Sequence, residues 1–344
     1  MVKRIGILTG GGDCPGLNAA IRAIVRKGIS IHGYEIFGIL NGWAGLLDGK
    51  IKPLGRDDVS GILHKGGTII GTSRTNPYKR DDGVDKIKEN MKISNLESII
   101  AIGGEDTLGV AAKLIDEGIK VVGVPKTIDN DLKGTQYTFG FDTAVSIITE
   151  AIDRLHSTAE AHHRVIVLEV MGRHAGWLAV VGGIAGGADL ILIPEEPFDI
   201  NGVCEVIKRR HQSGRDFSLV VVSEGAKEKE MNEITSSKRK DEFGHEMLGG
   251  IGNVLSKKIE KITGFETRVT VLGHTQRGGT PTAFDRVLAT RYGIAAIDLI
   301  AKDQYGFMVA LVGGEIKPIP LKEMASGIKT VDMELYEIAK VFFG

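Results

Sequence analysis

Cysteine is scarce: Cys14 and Cys204 are the two in 344 residues. Two cysteines make neither a disulfide framework nor a metal cluster, and they suit a reducing cytosol, so a cytoplasmic location is expected. Charge of one sign is not in excess either. Lys plus Arg number 43 and Asp plus Glu 44, a net charge of −1. That leaves no electrostatic case for nucleic acid or an anionic membrane. Long apolar runs are missing. The longest weakly polar stretch, residues 176–188, is glycine-rich, stops at Asp189 and is too short to span a bilayer. The start, MVKRIGILTGG, has a short apolar run leading into a glycine loop, unlike a signal peptide. Two nucleotide fingerprints are also lacking. No GxxxxGK[ST] occurs, and Pro15 takes the last glycine position of GxGxxG.

What is present is ordinary for a globular chain: 42% hydrophobic and 25% charged residues, with glycine high at 47. The length suggests about two domains. Short apolar runs alternate with helical patterns, the mark of βαβ units and parallel sheets in an α/β fold. Strands are expected at 4–9, 34–40, 98–102, 121–124, 164–170, 190–193, 218–223, 268–272 and 307–312. Helices are expected at 17–28, from 108, at 142–161, after Trp177, and at 201–212, 251–262, 282–302 and 331–343. A second α/β unit begins near residue 141. Residues 226–250, containing KEKEMNEITSSKRKDEFGHE, show almost no apolar periodicity and read as a mobile surface insertion.

The strand at 121–124 ends in Pro125-Lys126-Thr127-Ile128-Asp129-Asn130-Asp131. Two carboxylates just past a strand's carboxyl end sit where open α/β sheets place ligands. By itself the run reads equally as an Asx-rich turn. Two other strand ends join it. Gly10-Gly11-Gly12-Asp13 precedes a helix, as either a phosphate cradle or a tight helix–strand packing. Gly103-Gly104-Glu105-Asp106-Thr107 precedes another. With Arg74, this rim gathers glycine amides, cations and carboxylates, a set suited to Mg²⁺ held between carboxylates and phosphate oxygens. The second half carries Arg164, Arg173, Glu224, Arg268, His274 and Arg277 at or near strand ends. Arginine forks bind a phosphate monoester and a glutamate accepts sugar hydroxyls. Together the two rims suggest phosphoryl transfer between a polyphosphate and a phosphorylated polyol.

These motifs resemble the phosphofructokinases. Gly11-Gly12-Asp13, Gly103 to Thr107, Thr127 to Asp131, Met171-Gly172-Arg173, Ser223-Glu224-Gly225 and Gly273-His274-Thr275-Gln276-Arg277-Gly278-Gly279 fall in family order across residues 3–312. The resemblance implies two Rossmann-like three-layer α/β domains with mostly parallel sheets and the active site in the cleft between them. Residues 1–140 with 276–326 would form a large domain on the donor and Mg²⁺ side. Residues 141–275 with 327–344 would form a small domain on the fructose 6-phosphate side. It implies Asp129 as the base that deprotonates the 1-hydroxyl, supported by Thr127 and Asp131, with Arg173 stabilising the transferring group. Glu105 would hold the metal. Gly11, Gly12, Arg74, Gly104, Asp106, Thr107 and Lys126 would face the donor. Thr127, Asp129, Met171, Gly172, Arg173, Glu224, His274 and Arg277 would face the sugar phosphate. Arg164 and Arg268 would reach it from a neighbouring subunit, in a homotetramer or homodimer with shared sites.

Asp106 and Lys126 stand where ATP-using members carry glycine, and they look like the pyrophosphate-dependent branch. A carboxylate at 106 fills and repels the place of a nucleotide α-phosphate, and a lysine at 126 adds charge for a small, dense anion. Trp43 and Thr75 also stand where ATP-using bacterial members often have Tyr and Phe. The reading is reversible transfer between pyrophosphate and fructose 6-phosphate, giving fructose 1,6-bisphosphate and phosphate in glycolysis and gluconeogenesis. The alternatives are an ATP-dependent enzyme of the same family, a non-catalytic sugar-phosphate-binding subunit and a dinucleotide-binding dehydrogenase. Arg22, Arg26, Arg56 and Arg215 match the bacterial effector site, but His156, Ser213 and Gly61 depart from it. Weak or absent nucleotide activation is therefore expected.

Overall fold

The apolar runs of the first third become β1 (Arg4–Thr9), β2 (Glu35–Ile39), β3 (Ile51–Pro53), β4 (Ser98–Gly103) and β5 (Val121–Pro125) in a computed structural model. It describes residues 2–229 and 250–344, with the backbone alone at 237–240 and 246–247. β6 (Val165–Val170), β7 (Leu190–Leu192) and β8 (Ser218–Ser223) follow, then the short β9 (Ser237–Lys240) and β10 (Glu246–Met247). β11 (Thr267–Val271), β12 (Phe307–Val312) and β13 (Glu315–Pro320) complete the set. Most of the expected 226–250 insertion lies outside the described residues.

The strands form two principal sheets. The first has the order β13-β12-β5-β4-β1-β2-β3, parallel from β12 to β2, with antiparallel β13 and β3 at its edges. The second, β11-β6-β8-β7, is parallel throughout. Strand alternation sorts each sheet's side chains to two faces. Ile5, Ile7, Ile100, Ile102, Val122 and Val124 pack with Leu17, Ile21 and Ile24 of the helix Leu17–His32. Leu8, Ile99, Ala101 and Val121 meet Leu108, Ala111 and Leu114 of the helix Glu105–Asp116 on the other face. The second sheet is covered likewise. Ile166, Leu168 and Val221 face Ile148 and Ile152 of the helix Phe141–His162. Val167, Val220 and Val222 face Ile207 of Ile200–Gln212 and Leu255 of Ile251–Thr263. Parallel sheets need cover on both faces, and both have it.

Several elements differ from the sequence expectation. The first helix runs on to His32, because Gly33 adopts φ 65° and its N–H reaches the carbonyls of Gly28 and Ile29. A helix at Gly83–Ile93 and the strands β3 and β13 were not expected. The helix anticipated from 108 starts at Glu105, so both acids lie in its first turn, where carboxylates are favoured by the helix dipole. Among the described residues no helix is long and apolar enough to cross a membrane.

Candidate active site

The carboxyl ends of β1, β4 and β5 meet at one rim. The glycine loop after β1 is pinned there: Gly10 N–H donates to Ile102 O at 2.9 Å and Gly11 N–H to Ser73 O at 2.9 Å. Thr72 Oγ1 donates to Gly11 O at 2.7 Å, which draws the segment bearing Arg74 to the loop. Gly11 has φ 78°, and a Cβ on Gly12 would lie 2.3 Å from the Arg277 guanidinium. The left-handed backbone at Gly11 favours glycine, and a side chain at Gly12 would displace the Arg277 guanidinium.

From β5, Lys126 folds back under this loop. It is 3% exposed, and its ammonium donates to Gly12 O at 2.5 Å. Burial pushes its pKa down to about 8, partly countered by the charges of Asp13 and Asp129. Next along, Thr127 Oγ1 accepts the backbone N–H of Asp129 at 3.1 Å, and Thr127 O accepts Thr138 Oγ1 at 2.7 Å. These bonds fix the direction of Asp129. Its Oδ1 is buried and meets no hydrogen-bond donor among the described residues. Asp131 is pushed up to about 7, first by burial and then by the charge of Asp129.

The second sheet supplies the facing wall. Gly172, with φ 127°, offers its carbonyl to Ser223 Oγ at 2.6 Å and Gly225 N at 3.2 Å. That clamp sets Arg173 beside Glu224, whose carboxyl is raised by burial and by Asp129. Gln276, fully buried, accepts Met171 N–H at 2.9 Å and so ties the 3₁₀ turn Gly273–Arg277 to the end of β6. Arg277 then reaches across, Nη1 donating to Asp13 O at 3.4 Å.

A cavity of about 280 Å³ lies between the walls. Gly11, Gly12, Arg74, Gly104, Glu105, Asp106, Thr107, Lys126, Thr127, Asp129 and Asp131 line one side. Met171, Arg173, His174, Glu224, His274 and Arg277 line the other. Three arginines and the lysine Lys126 thus share a space of small-molecule size with five carboxyl groups. Such a mixture fits an anion accompanied by a divalent metal, since the carboxylates alone would repel it. A second cavity of about 470 Å³ shares Glu105 and Asp106 with the first and extends past Asn76, Gly109, Lys113 and Asp116.

Not every expected residue comes to this cavity. Gly172 acts through its backbone behind Met171 and Arg173. Arg164 and Arg268 lie at the amino ends of β6 and β11, on the opposite rim of the second sheet. There both pair with Glu266, Arg164 at 2.9 Å. Trp43 is 1% exposed within the core and lines neither cavity.

The phosphofructokinase family profile matches residues 4–300. The chain is 58% identical over 341 residues to the pyrophosphate–fructose 6-phosphate 1-phosphotransferase of Amycolatopsis methanolica, covering 99% of this chain and 100% of that one. The chain belongs to the phosphofructokinase family. It is also 51% identical over 342 residues to the ATP-dependent 6-phosphofructokinase of Mycobacterium leprae, with 99% and 100% covered. The structure superposes on Pichia pastoris phosphofructokinase in the T-state with a TM-score of 0.85 and 33% identity, spanning 99% of this chain and 36% of that longer one. Both cavity walls fall within the matched span. His174 was missed by the sequence reading, though its place beside Arg173 at the same strand end is the signal for it. Asn130 and Gln276 were missed as supports, because buried hydrogen bonding leaves no linear pattern.

Proposed function

We propose that the protein transfers a phosphoryl group reversibly between pyrophosphate and the 1-hydroxyl of fructose 6-phosphate, giving fructose 1,6-bisphosphate and phosphate. The observation that carries this reading is the buried Lys126 ammonium under the glycine loop with Asp106 lining the same cavity. The lysine, when protonated, adds positive charge where a compact, densely charged anion must sit. The carboxylate closes the way toward the second cavity, where the rest of a nucleotide would extend. ATP is the second reading, favoured by that cavity and by the Mycobacterium leprae relative. Assay of purified protein with fructose 6-phosphate, Mg²⁺ and either donor separates the two. Turnover with pyrophosphate and not ATP is expected; turnover with ATP alone would overturn the donor assignment.

In this scheme residues 1–140 with 276–326 form the donor and Mg²⁺ side, and residues 141–275 with 327–344 the sugar-phosphate side, with Arg277 reaching across to the sugar phosphate. Asp129 accepts the proton of the 1-hydroxyl on its unpartnered Oδ1. Asp131, raised and close by, supports it, and Thr127 fixes the loop. Arg173 meets the charge that spreads over the transferring group. Glu224 and the Met171–Gly172 backbone hold the sugar, and His274 and Arg277 take its 6-phosphate. Gly11, Gly12, Arg74, Gly104 and Thr107 line the donor's place. Glu105 would hold Mg²⁺, which asks for one or two carboxylates and completes its shell with phosphate oxygens and water. The ion supplies charge neutralisation to the phosphates when bound.

Lys126 gives this reading a pH signature. A lysine lowered to about 8 loses its charge as pH rises through that value in the free enzyme. An anion binds the charged form, so pyrophosphate affinity is full below pH 8 and falls above it. KM for pyrophosphate measured from pH 7 to 9.5 is expected to rise about tenfold per unit at the alkaline end. Lys126→Met should have a higher KM and lose that slope; an unchanged slope would assign the titration elsewhere.

Arg164 and Arg268 serve the site of a neighbouring subunit in a homotetramer or homodimer. Their position on the far rim, paired with a half-exposed Glu266, supports this. Asp129→Ala and Arg268→Ala proteins should each have little activity. Unfolded together and refolded, they should recover roughly a quarter of the parental sites by random pairing across a shared interface. No recovery would place Arg268 outside the neighbouring site.

A further inference from the structure

The carboxylate loop is fastened from behind by a strap near the end of the chain, residues 328–331. Ile328 forms an antiparallel bridge with Leu132, and Lys329 N–H donates to Asp131 O at 2.8 Å. The Lys329 ammonium spends all three of its hydrogens on the same loop. It donates to Asn130 Oδ1 at 3.0 Å, Thr135 O at 2.9 Å and Gln136 O at 3.0 Å.

Asn130 stands between the two acids. It is 2% exposed and takes φ 51°, a left-handed conformation that asparagine tolerates when its side chain is bonded locally. Its Oδ1 also accepts Thr138 N–H at 3.1 Å, and its Nδ2 donates to Gln136 O at 3.2 Å. This kink decides how the side chains of Asp129 and Asp131 diverge. The other side of the strap holds the second sheet's elements. Trp177 Nε1 donates to Lys329 O at 3.1 Å, and Val331 N–H donates to Glu195 Oε1 at 2.9 Å. Glu195 in turn accepts Gly176 N–H at 3.0 Å. The helix Trp177–Gly186 that this carboxylate anchors begins four residues after Arg173.

We propose that Lys329 is a positioning residue for phosphoryl transfer, acting through the Asn130 kink to hold Asp129 in register with the wall that carries Arg173. This rests on the reading of Asp129 as the base. Lys329 lines neither the 280 Å³ cavity nor the one beyond Asp106; with Asn130 it borders a separate cavity of about 490 Å³ behind the loop, away from the proposed reacting groups. Its loss therefore acts on turnover rather than on binding, and a displacement of about 1 Å at a reacting group costs on the order of 100-fold.

The test is steady-state kinetics of Lys329→Met, Lys329→Arg, Asn130→Ala and the Lys329→Met/Asn130→Ala double variant, with whichever donor the parent turns over. Lys329→Met is expected to lose about 10- to 100-fold in kcat, with KM for donor and sugar phosphate within about threefold. Lys329→Arg keeps the charge but cannot point three donors at one centre, and should fall between parent and Lys329→Met. The double variant should lose no more than about twofold beyond the worse single one, because both act through one kink. A parental kcat in Lys329→Met, or losses that multiply in the double variant, would overturn the proposal. Should Lys329→Met fail to fold, a parental kcat in Lys329→Arg together with a parental kcat in Asn130→Ala overturns it equally. An Asp129→Asn variant that keeps full turnover sinks the base assignment instead, a result visible without touching the strap.

Discussion

Asp129→Asn is expected to lower kcat about 1,000-fold while leaving KM for both substrates within a few-fold. The two side chains have the same shape, and the backbone N–H of residue 129 still meets Thr127 Oγ1. What disappears is the basic oxygen. Asp129 Oδ1 is buried without a donor, so no hydrogen bond competes for the lone pair that must take the proton. Asp131 does not replace it. Burial still raises its carboxyl in the variant, and its backbone is tied to Lys329. The same variant should unfold at a temperature no lower than the parent, because removing one of two neighbouring charges relieves the repulsion that raises Asp131. A loss below about tenfold in kcat would move the proton transfer to another group.

The second large effect concerns the donor. Asp106→Gly combined with Lys126→Gly should lower kcat/KM for pyrophosphate by about 100- to 10,000-fold, the range for losing one or two charge-assisted contacts in a buried site. It should raise kcat/KM for ATP above the parent. The carboxylate of Asp106 borders both the phosphoryl cavity and the 470 Å³ space past Gly109 and Lys113. Without it the two spaces join, and the repulsion against a middle phosphate is gone. Removing Lys126 also frees the carbonyl of Gly12, so the glycine loop gains room to shift. Measuring both donors on one preparation gives the ratio directly. A ratio equal to the parent's would show that these side chains do not select the donor.

Much of this site was legible in the linear sequence, for a physical reason. Parallel strands place their following loops on one rim, so Gly11, Glu105 and Lys126 group together from sequence alone. The strands that were missed are those whose composition argues against strands. β13 carries Pro318 and Pro320, which an edge strand tolerates on its unpaired side. The helix Gly83–Ile93 has a thin apolar stripe, Val84, Ile87 and Met91 at helical spacing, diluted by the lysines and acids between them. Arg164 and Arg268 looked like Arg173 because both ends of a strand read alike in sequence; only the chain direction separates the rims. Lys329 was unreadable, since its partners lie about two hundred residues away.

The pairing of β5 with β12, through Met308 and Gly123, has a consequence for how the chain reaches this state. The whole of the second sheet, from β6 to β11, is inserted in sequence between two neighbouring strands of the first. No single cut between β5 and β12 leaves the first sheet whole: severing after Gly140 strips β12 and β13 from their partner. Nucleation can begin locally around β1 and β4, but closing the first sheet waits for a contact that spans the inserted one. Such a topology favours slow, sequential folding, in which the inserted sheet's own condensation shortens the loop that the outer one must close.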